Sequence, residues 1–333
     1  MTQATRKTEA GRRIDATHPT AVIALGGNAL APSGEEATIY DQFRHTRESL
    51  APIVELALSG WNVCIVHGNG PQVGDEMMRN ELARDEASPL PLGVLVAATA
   101  GWIGYMIQQS IDNALRQAGS PRRVATIVTQ VLVDPTDEAL HQPSKFIGRE
   151  LTTERAAELE AEGFAMKPDG RGKLRRVVGS PKPQAIHELE TIRQLVTAGT
   201  IVIACGGGGV PVYMHPTLGL EGIDAVIDKD LGAAVLARDL GATMLLILTD
   251  VDAVYADWRT PQQRPLRHLS VNDAEQMDKA GAFGEGSMAP KIRAAIDFVR
   301  RTGGRAIITS LDCGRDAVRG EAGTTITTES EIE

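Results

Sequence analysis

Six short apolar runs constrain this chain more than any other feature: residues 20–25, 62–66, 124–133, 200–205, 243–249 and 305–310. They are rich in β-branched residues, do not alternate with polar ones, and most end in glycine or a small polar residue. Such runs suit strands covered on both faces, as in a parallel sheet. Helical stretches separate them at 41–59, 72–85, 93–117, 184–198, 230–240 and 290–301. Strand alternating with helix predicts an α/β three-layer sandwich with a mainly parallel central sheet. Segment 134–183 breaks the rhythm with five prolines, a charged helical run at 152–162 and a strand candidate at 173–178. It reads as a small protruding subdomain. The expected organisation is a disordered extension over 1–19 and one domain over 20–333. That domain divides into halves at about 20–199 and 200–333, with the subdomain in the first.

Composition narrows the partners. With 34 Lys plus Arg against 43 Asp plus Glu, the net charge is −9, and no aromatic-basic stripe appears, so nucleic acid is not expected. A phosphate substrate is still allowed, because a few lysines can be concentrated in one cleft. Cys64, Cys205 and Cys313 lie far apart without CxxC or zinc spacing, and the polar first residues lack an apolar signal core. A cytoplasmic location is expected. The uncharged stretch 87–111 is interrupted by Pro89, Pro91, Gly93, Gly101 and Gly104 and reads as a buried core helix, so no membrane partner is expected.

In an open parallel sheet, ligands collect at the C-terminal ends of the strands. Glycine clusters stand at three of these ends: Gly26-Gly27 with Asn28, Gly68-Asn69-Gly70, and the four glycines 206–209. Bare backbone N–H groups there can approach an anion, and a following helix adds favourable polarity. Three clusters on one sheet point to an anion site. No Walker-type phosphate loop is present, 68–74 is one residue too long for a dinucleotide fingerprint, and no nucleophile elbow occurs. Three lysines share settings of Gly, Pro and Asp: Lys145 in the subdomain, Lys229 after Asp228 where an apolar run meets a helix, and Lys291 just after Pro290. Cations around a phosphate chain suit phosphoryl transfer, which depends on positioning and charge stabilisation.

These segments resemble one family. Ala24-Leu25-Gly26-Gly27-Asn28-Ala29, His67-Gly68-Asn69-Gly70-Pro71-Gln72-Val73-Gly74, Pro181-Lys182-Pro183, Cys205-Gly206-Gly207-Gly208-Gly209-Val210-Pro211, Val226-Ile227-Asp228-Lys229-Asp230 and Gly286-Ser287-Met288-Ala289-Pro290-Lys291 look like carbamate kinase motifs, in the family's order, over about residues 20–328. The resemblance implies an amino acid kinase fold with an eight-stranded, mainly parallel sheet, and a homodimer. It also implies reversible phosphoryl transfer from ATP to carbamate, giving ADP and carbamoyl phosphate, with Mg²⁺. Where many relatives in the wider superfamily carry a lysine before the first glycine pair, this chain has Leu25, and Lys145 would supply the missing charge. By the same resemblance, Gly26, Gly27, Asn28, Gly68, Asn69 and Gly70 would hold the carbamate and the transferring group. Lys145, Lys229 and Lys291 would neutralise phosphate oxygens, and Asp228 would orient the lysines. Thr249, Asp250, Tyr255, Met288 and Lys291 would line the nucleotide site, with no side chain committed to metal. Phe146 and a variant loop at 213–219 depart from the common pattern. A kinase of another small carboxylate, or a non-catalytic nucleotide-binding homologue, remain alternatives at this point.

Overall fold

Ala21 through Leu25 are wholly buried, which requires a strand with both neighbours in place and both faces covered. The computed structural model describes residues 18–27, 30, 38–283 and 288–329, and places that strand inside an eight-stranded sheet. In chain order the strands are β1 (Thr20–Leu25), β2 (Asn62–His67), β3 (Val124–Thr126), β4 (Ile201–Ile203), β5 (Met244–Thr249), β6 (His268–Ser270), β7 (Arg305–Ser310) and β8 (Thr324–Thr327). Across the sheet they lie in the order β6-β8-β7-β5-β1-β2-β4-β3. All neighbours pair in parallel except β7 and β8, so the last two strands at one edge run backwards. The expected mainly parallel sandwich is therefore what forms.

Side chains alternate across the sheet, and each face packs a core of its own. Ala21, Ile23 and Leu25 join Ile65, Ile103, Ile107 and Leu248 on one side. Val22 and Ala24 join Val66, Ile247, Ala233, Ile292 and Phe298 on the other. Four helices matter for the site: α1 (Gly70–Ala83), α2 (Leu92–Gln117), α3 (Lys229–Leu240) and α4 (Met288–Thr302). The stretch read as a core helix is α2, with Ile103, Met106, Ile107 and Ile111 fully buried. No helix among the described residues is long and apolar enough to cross a membrane.

Several elements differ from expectation for local reasons. Residues 124–133 form not one strand but two, β3 and Gln130–Leu132, the second in a separate four-stranded sheet. The Thr129 hydroxyl donates to Ile127 O (2.9 Å) and accepts from Cys205 N (3.0 Å), turning the chain out of the large sheet. The single helix expected at 41–59 is split into Ile39–Ser49 and Ala51–Leu58, because Pro52 has no N–H to continue the first helix's hydrogen-bond ladder and suits the first turn of a new one. Segment 184–198 opens with the two-residue strand Ala185–Ile186 before its helix, Leu189–Thr197. The loop expected at 213–219 belongs to an antiparallel hairpin of Val210–His215 with Gly219–Gly222.

Within 134–183, Lys145–Ile147, Ala165–Pro168 and Leu174–Val178 form an antiparallel sheet beside the helix Thr153–Ala161. This unit sits on α1. Gly148 N donates to Gly70 O at 3.0 Å, and a Cβ on Gly74 would fall 2.0 Å from Gly148 Cα, so only glycine permits the approach. Ion pairs of Arg149 with Asp75 (3.0 Å), Arg155 with Glu81 (3.0 Å), Arg84 with Glu162 (3.2 Å) and Arg176 with Glu81 span the junction. The docking holds Lys145 over the ends of the central strands. Residues 1–17 of the expected extension lie outside the described residues.

Candidate active site

The loops after β1, β2 and β5 lie side by side. Gly26 N donates to Leu248 O at 3.2 Å, and Gly68 N donates to Leu25 O at 3.0 Å. A Cβ on Gly68 would stand 3.2 Å from Gly27 N and 3.3 Å from Lys229 Cδ, so the two glycine loops face one another across the lysine stem. Asn28 lies outside the described residues, as do residues 284–287 before Met288.

Three lysines from three parts of the chain meet here. Lys145 Nζ, from the docked subdomain, donates to Asp228 Oδ2 at 2.5 Å. Lys229 Nζ donates to Asp230 Oδ1 at 2.6 Å, and Lys291 Nζ, from the first turn of α4, donates to Asp230 Oδ2 at 3.3 Å. Asp228 Oδ1 accepts from Asp230 N (2.9 Å) and Leu231 N (3.3 Å), capping α3. One carboxylate thus closes the helix and steadies Lys145, while the other joins the two remaining lysines.

Sequence reasoning named Asp228 and missed Asp230, the residue in contact with two of the three lysines. Its signal was a second acidic residue two positions on, at the buried start of a helix.

The electrostatics follow from the geometry. Burial works to raise the pKa of Asp228, but Lys145, Lys229 and Lys291 overcome it and hold the carboxyl well below the ordinary range. The same contest at Asp230 is won by Lys229 and Lys291. Burial, helped by Lys291, lowers the pKa of Lys229. At Lys291, burial is outweighed by Asp230, Asp228 and Asp250, and the pKa rises. Among the described residues, three ammonium groups gather on two buried carboxylates, with Asp250 acting on Lys291 as well, and such a concentration of cations suits an incoming anion.

A second source of positive polarity is α1. Asn69 precedes it but does not cap it with its side chain, because Asn69 Nδ2 donates to Thr99 Oγ1 of α2 at 2.9 Å. The Asn69 side chain is buried, so any contact with a ligand falls to its backbone, and the first turn of α1 keeps its positive end for an anion. The glycine run 206–209 behaves differently from expectation. It is buried beneath the site rather than open to it. Gly207 has φ +70°, and a Cβ on it would lie 2.3 Å from Asn69 Nδ2, so this turn is a packing floor that seats the Asn69 loop. Cys205 in the same floor is fully buried, which pushes its thiol well up and makes it unreactive.

On the other side, Thr249 ends β5 and its hydroxyl donates to Asp250 Oδ1 at 3.0 Å, with Asp250 exposed. Tyr255 lies on the small hairpin of Val254–Ala256 with Arg264–Leu266. Its OH donates to Asp252 Oδ1 at 2.7 Å, which with burial raises its pKa, and its ring lies 5.3 Å from that of Trp258. Met288 starts α4 and packs on the core. Thus Lys145, Lys229, Lys291, Asp228, Gly27 and Gly68 converge, whereas Tyr255 is turned towards Asp252 and Trp258.

A family model matches residues 19–310 of this chain, and its description is the amino acid kinase family. The chain belongs to the amino acid kinase family. Among curated members, the carbamate kinase of Escherichia coli K12 is 46% identical over 308 residues, covering 92% of this chain and 99% of that protein. The carbamate kinase of Trichomonas vaginalis is 42% identical over 308 residues, covering 92% and 98%. Among solved structures, carbamate kinase from Giardia lamblia bound to AMP-PNP superposes with a TM-score of 0.86 at 38% identity, covering 93% of this chain and 99% of that one. Within the amino acid kinase family, this chain is therefore grouped with carbamate kinases along nearly its whole length, and it is a phosphotransferase.

Proposed function

We propose that the protein catalyses reversible phosphoryl transfer between ATP and carbamate, with ADP and carbamoyl phosphate as the other pair. The observation that carries this reading is the convergence of Lys145, Lys229 and Lys291 on two buried carboxylates beside the Gly27 and Gly68 loops. In the synthetic direction a carbamate oxygen attacks the terminal phosphorus of ATP as the bond to the ADP oxygen breaks. Carbamate is already anionic, so no general base is required. Gly26, Gly27, Asn28, Gly68, Asn69 and Gly70 would seat carbamate and the transferring group through backbone N–H groups. The lysines would balance charge on its oxygens, and Asp228 and Asp230 would keep them in place. Thr249, Asp250, Tyr255, Met288 and Lys291 would form the nucleotide side, dividing the chain into a carbamate half at about 20–199 and a nucleotide half at about 200–333.

Mg²⁺ would enter with the nucleotide and supply charge neutralisation between phosphates. Asp228 and Asp230 are already engaged by lysines, so phosphate oxygens and water would provide most of its ligands. A homodimer fits the open edge of β3 and the exposed Val94, Tyr105 and Val128. A cytoplasmic location fits the three unpaired cysteines. The test is ATP formation from ADP and carbamoyl phosphate with Mg²⁺ by the purified protein, which is expected to occur. Turnover of acetyl phosphate without turnover of carbamoyl phosphate would overturn the substrate assignment.

A further inference from the structure

His67 ends β2, directly before the loop assigned to substrate, and no step described so far uses it. Its ring is fully buried. Nδ1 lies 3.0 Å from the carbonyl oxygen of Gly68, in hydrogen-bonding geometry, while Nε2 has no hydrogen-bond partner among the described residues. A carbonyl oxygen can only accept, so the contact with Gly68 O puts the proton of the neutral ring on Nδ1. The ring fits only because residue 206 is glycine: a Cβ there would stand 2.7 Å from Nε2 and 2.8 Å from the Ala100 Cβ of α2. Burial brings the His67 pKa down to about 4, against the opposing pull of the Gly68 and Ala100 carbonyls, and keeps the ring neutral at physiological pH.

The consequence lies in the peptide unit between Gly68 and Asn69. In a trans peptide the C=O and N–H point in opposite directions within one plane. Turning the Gly68 carbonyl down onto His67 therefore turns the Asn69 N–H the other way. Gly68 itself faces Gly27 and Lys229, where the transferring group is placed. We propose that His67 is a positioning residue, a neutral bracket whose Nδ1–H holds the Gly68 carbonyl and so aims the Asn69 N–H at the carbamoyl phosphate. This rests on the carbamate kinase reading above. The four-glycine floor gains a second purpose from it, since Gly206 makes room for the bracket while Gly207 seats the Asn69 side chain.

Two amide substitutions separate positioning from filling. In His67→Asn the amide nitrogen occupies the place of Nδ1 but ring volume is lost; in His67→Gln more volume is kept and the nitrogen sits where Nε2 was. The proposal expects the Asn variant to hold the KM for carbamoyl phosphate within about threefold of wild type. The Gln variant should raise it about tenfold or more, the scale of one lost hydrogen bond, with the KM for ADP unchanged in both. A purely structural role would favour Gln over Asn and would move both substrates together, and either result overturns the proposal. Independently, ¹⁵N-histidine NMR of the wild-type protein without substrate should show the ring as the Nδ1–H tautomer, not titrating between about pH 5.5 and 8.5. A ring that titrates near its ordinary value of about 6.5, or carries its proton on Nε2, overturns the bracket even if both variants fail to fold. Wild-type turnover of carbamoyl phosphate reports on the underlying reading and the tautomer on the bracket, so each can fail separately.

Discussion

Asp230→Asn removes one charge from between two buried lysines and keeps the shape of the side chain. Asp230 is 2% exposed, with Lys229 Nζ at 2.6 Å and Lys291 Nζ at 3.3 Å on its two oxygens. Losing one partner of a buried ion pair typically costs about 3–5 kcal/mol, because the other charge stays buried and uncompensated. The upper end has a physical ceiling here. A lysine that becomes neutral at pH 7 has had its pKa lowered by about 3.4 units from ~10.4, and at ~1.4 kcal/mol per unit this corresponds to about 5 kcal/mol. Beyond that, shedding a proton costs less than keeping it.

The variant should therefore lose about 3–5 kcal/mol in urea unfolding and about 5–10 °C in Tm. Its pH dependence should change as well. Burial already lowers the folded pKa of Lys229, so the unfolded chain binds this proton more tightly than the folded one. More protons bound in the unfolded state make stability rise with pH, up to the unfolded lysine pKa of about 10.4. Removing the carboxylate should steepen that rise between about pH 7 and 10. The assay is urea unfolding by circular dichroism at several pH values, with kcat measured on the same preparations. A folded variant within about 1 kcal/mol of wild type and with an unchanged pH slope would refute the argument that Asp230 holds the lysines.

Lys145→Ala should lower kcat by on the order of 10²-fold, the scale of losing one preorganised charge donor, with ADP affinity by calorimetry within about threefold. A kcat within twofold of wild type would make the lysine incidental. Gly207→Ala should destabilise the fold by about 2 kcal/mol or more, since alanine must adopt φ +70° and its Cβ would meet Asn69 Nδ2 at 2.3 Å. An unchanged urea midpoint would show that the floor can yield.

What the sequence made legible follows from where each piece of information resides. β1, β2, β5 and β7 are continuous apolar runs and stand out without reference to partners. β6 and β8 read His-Leu-Ser and Thr-Thr-Ile-Thr, too short and polar to separate from loops, and exist because β7 offers an edge to β8 and β8 to β6. The lysines were visible through their local punctuation. Asp230 was not, because its importance arises only once α4 brings Lys291 against it. Likewise the Asn69 side chain is turned by Thr99, 30 residues away, and no local pattern reports that.

The position of β1 bears on synthesis as well as on structure. Its partners are β2, which follows directly, and β5, whose first paired residue is Met244 against Ala21. On a ribosome making about 5–20 residues per second, β1 waits on the order of ten to forty seconds with one edge unpaired. That edge belongs to a strand of six residues, five of which end wholly buried, and a flat apolar edge is a template for the wrong neighbour. The nascent first half therefore has to be kept from pairing with other chains until the middle of the sheet is delivered by its second half.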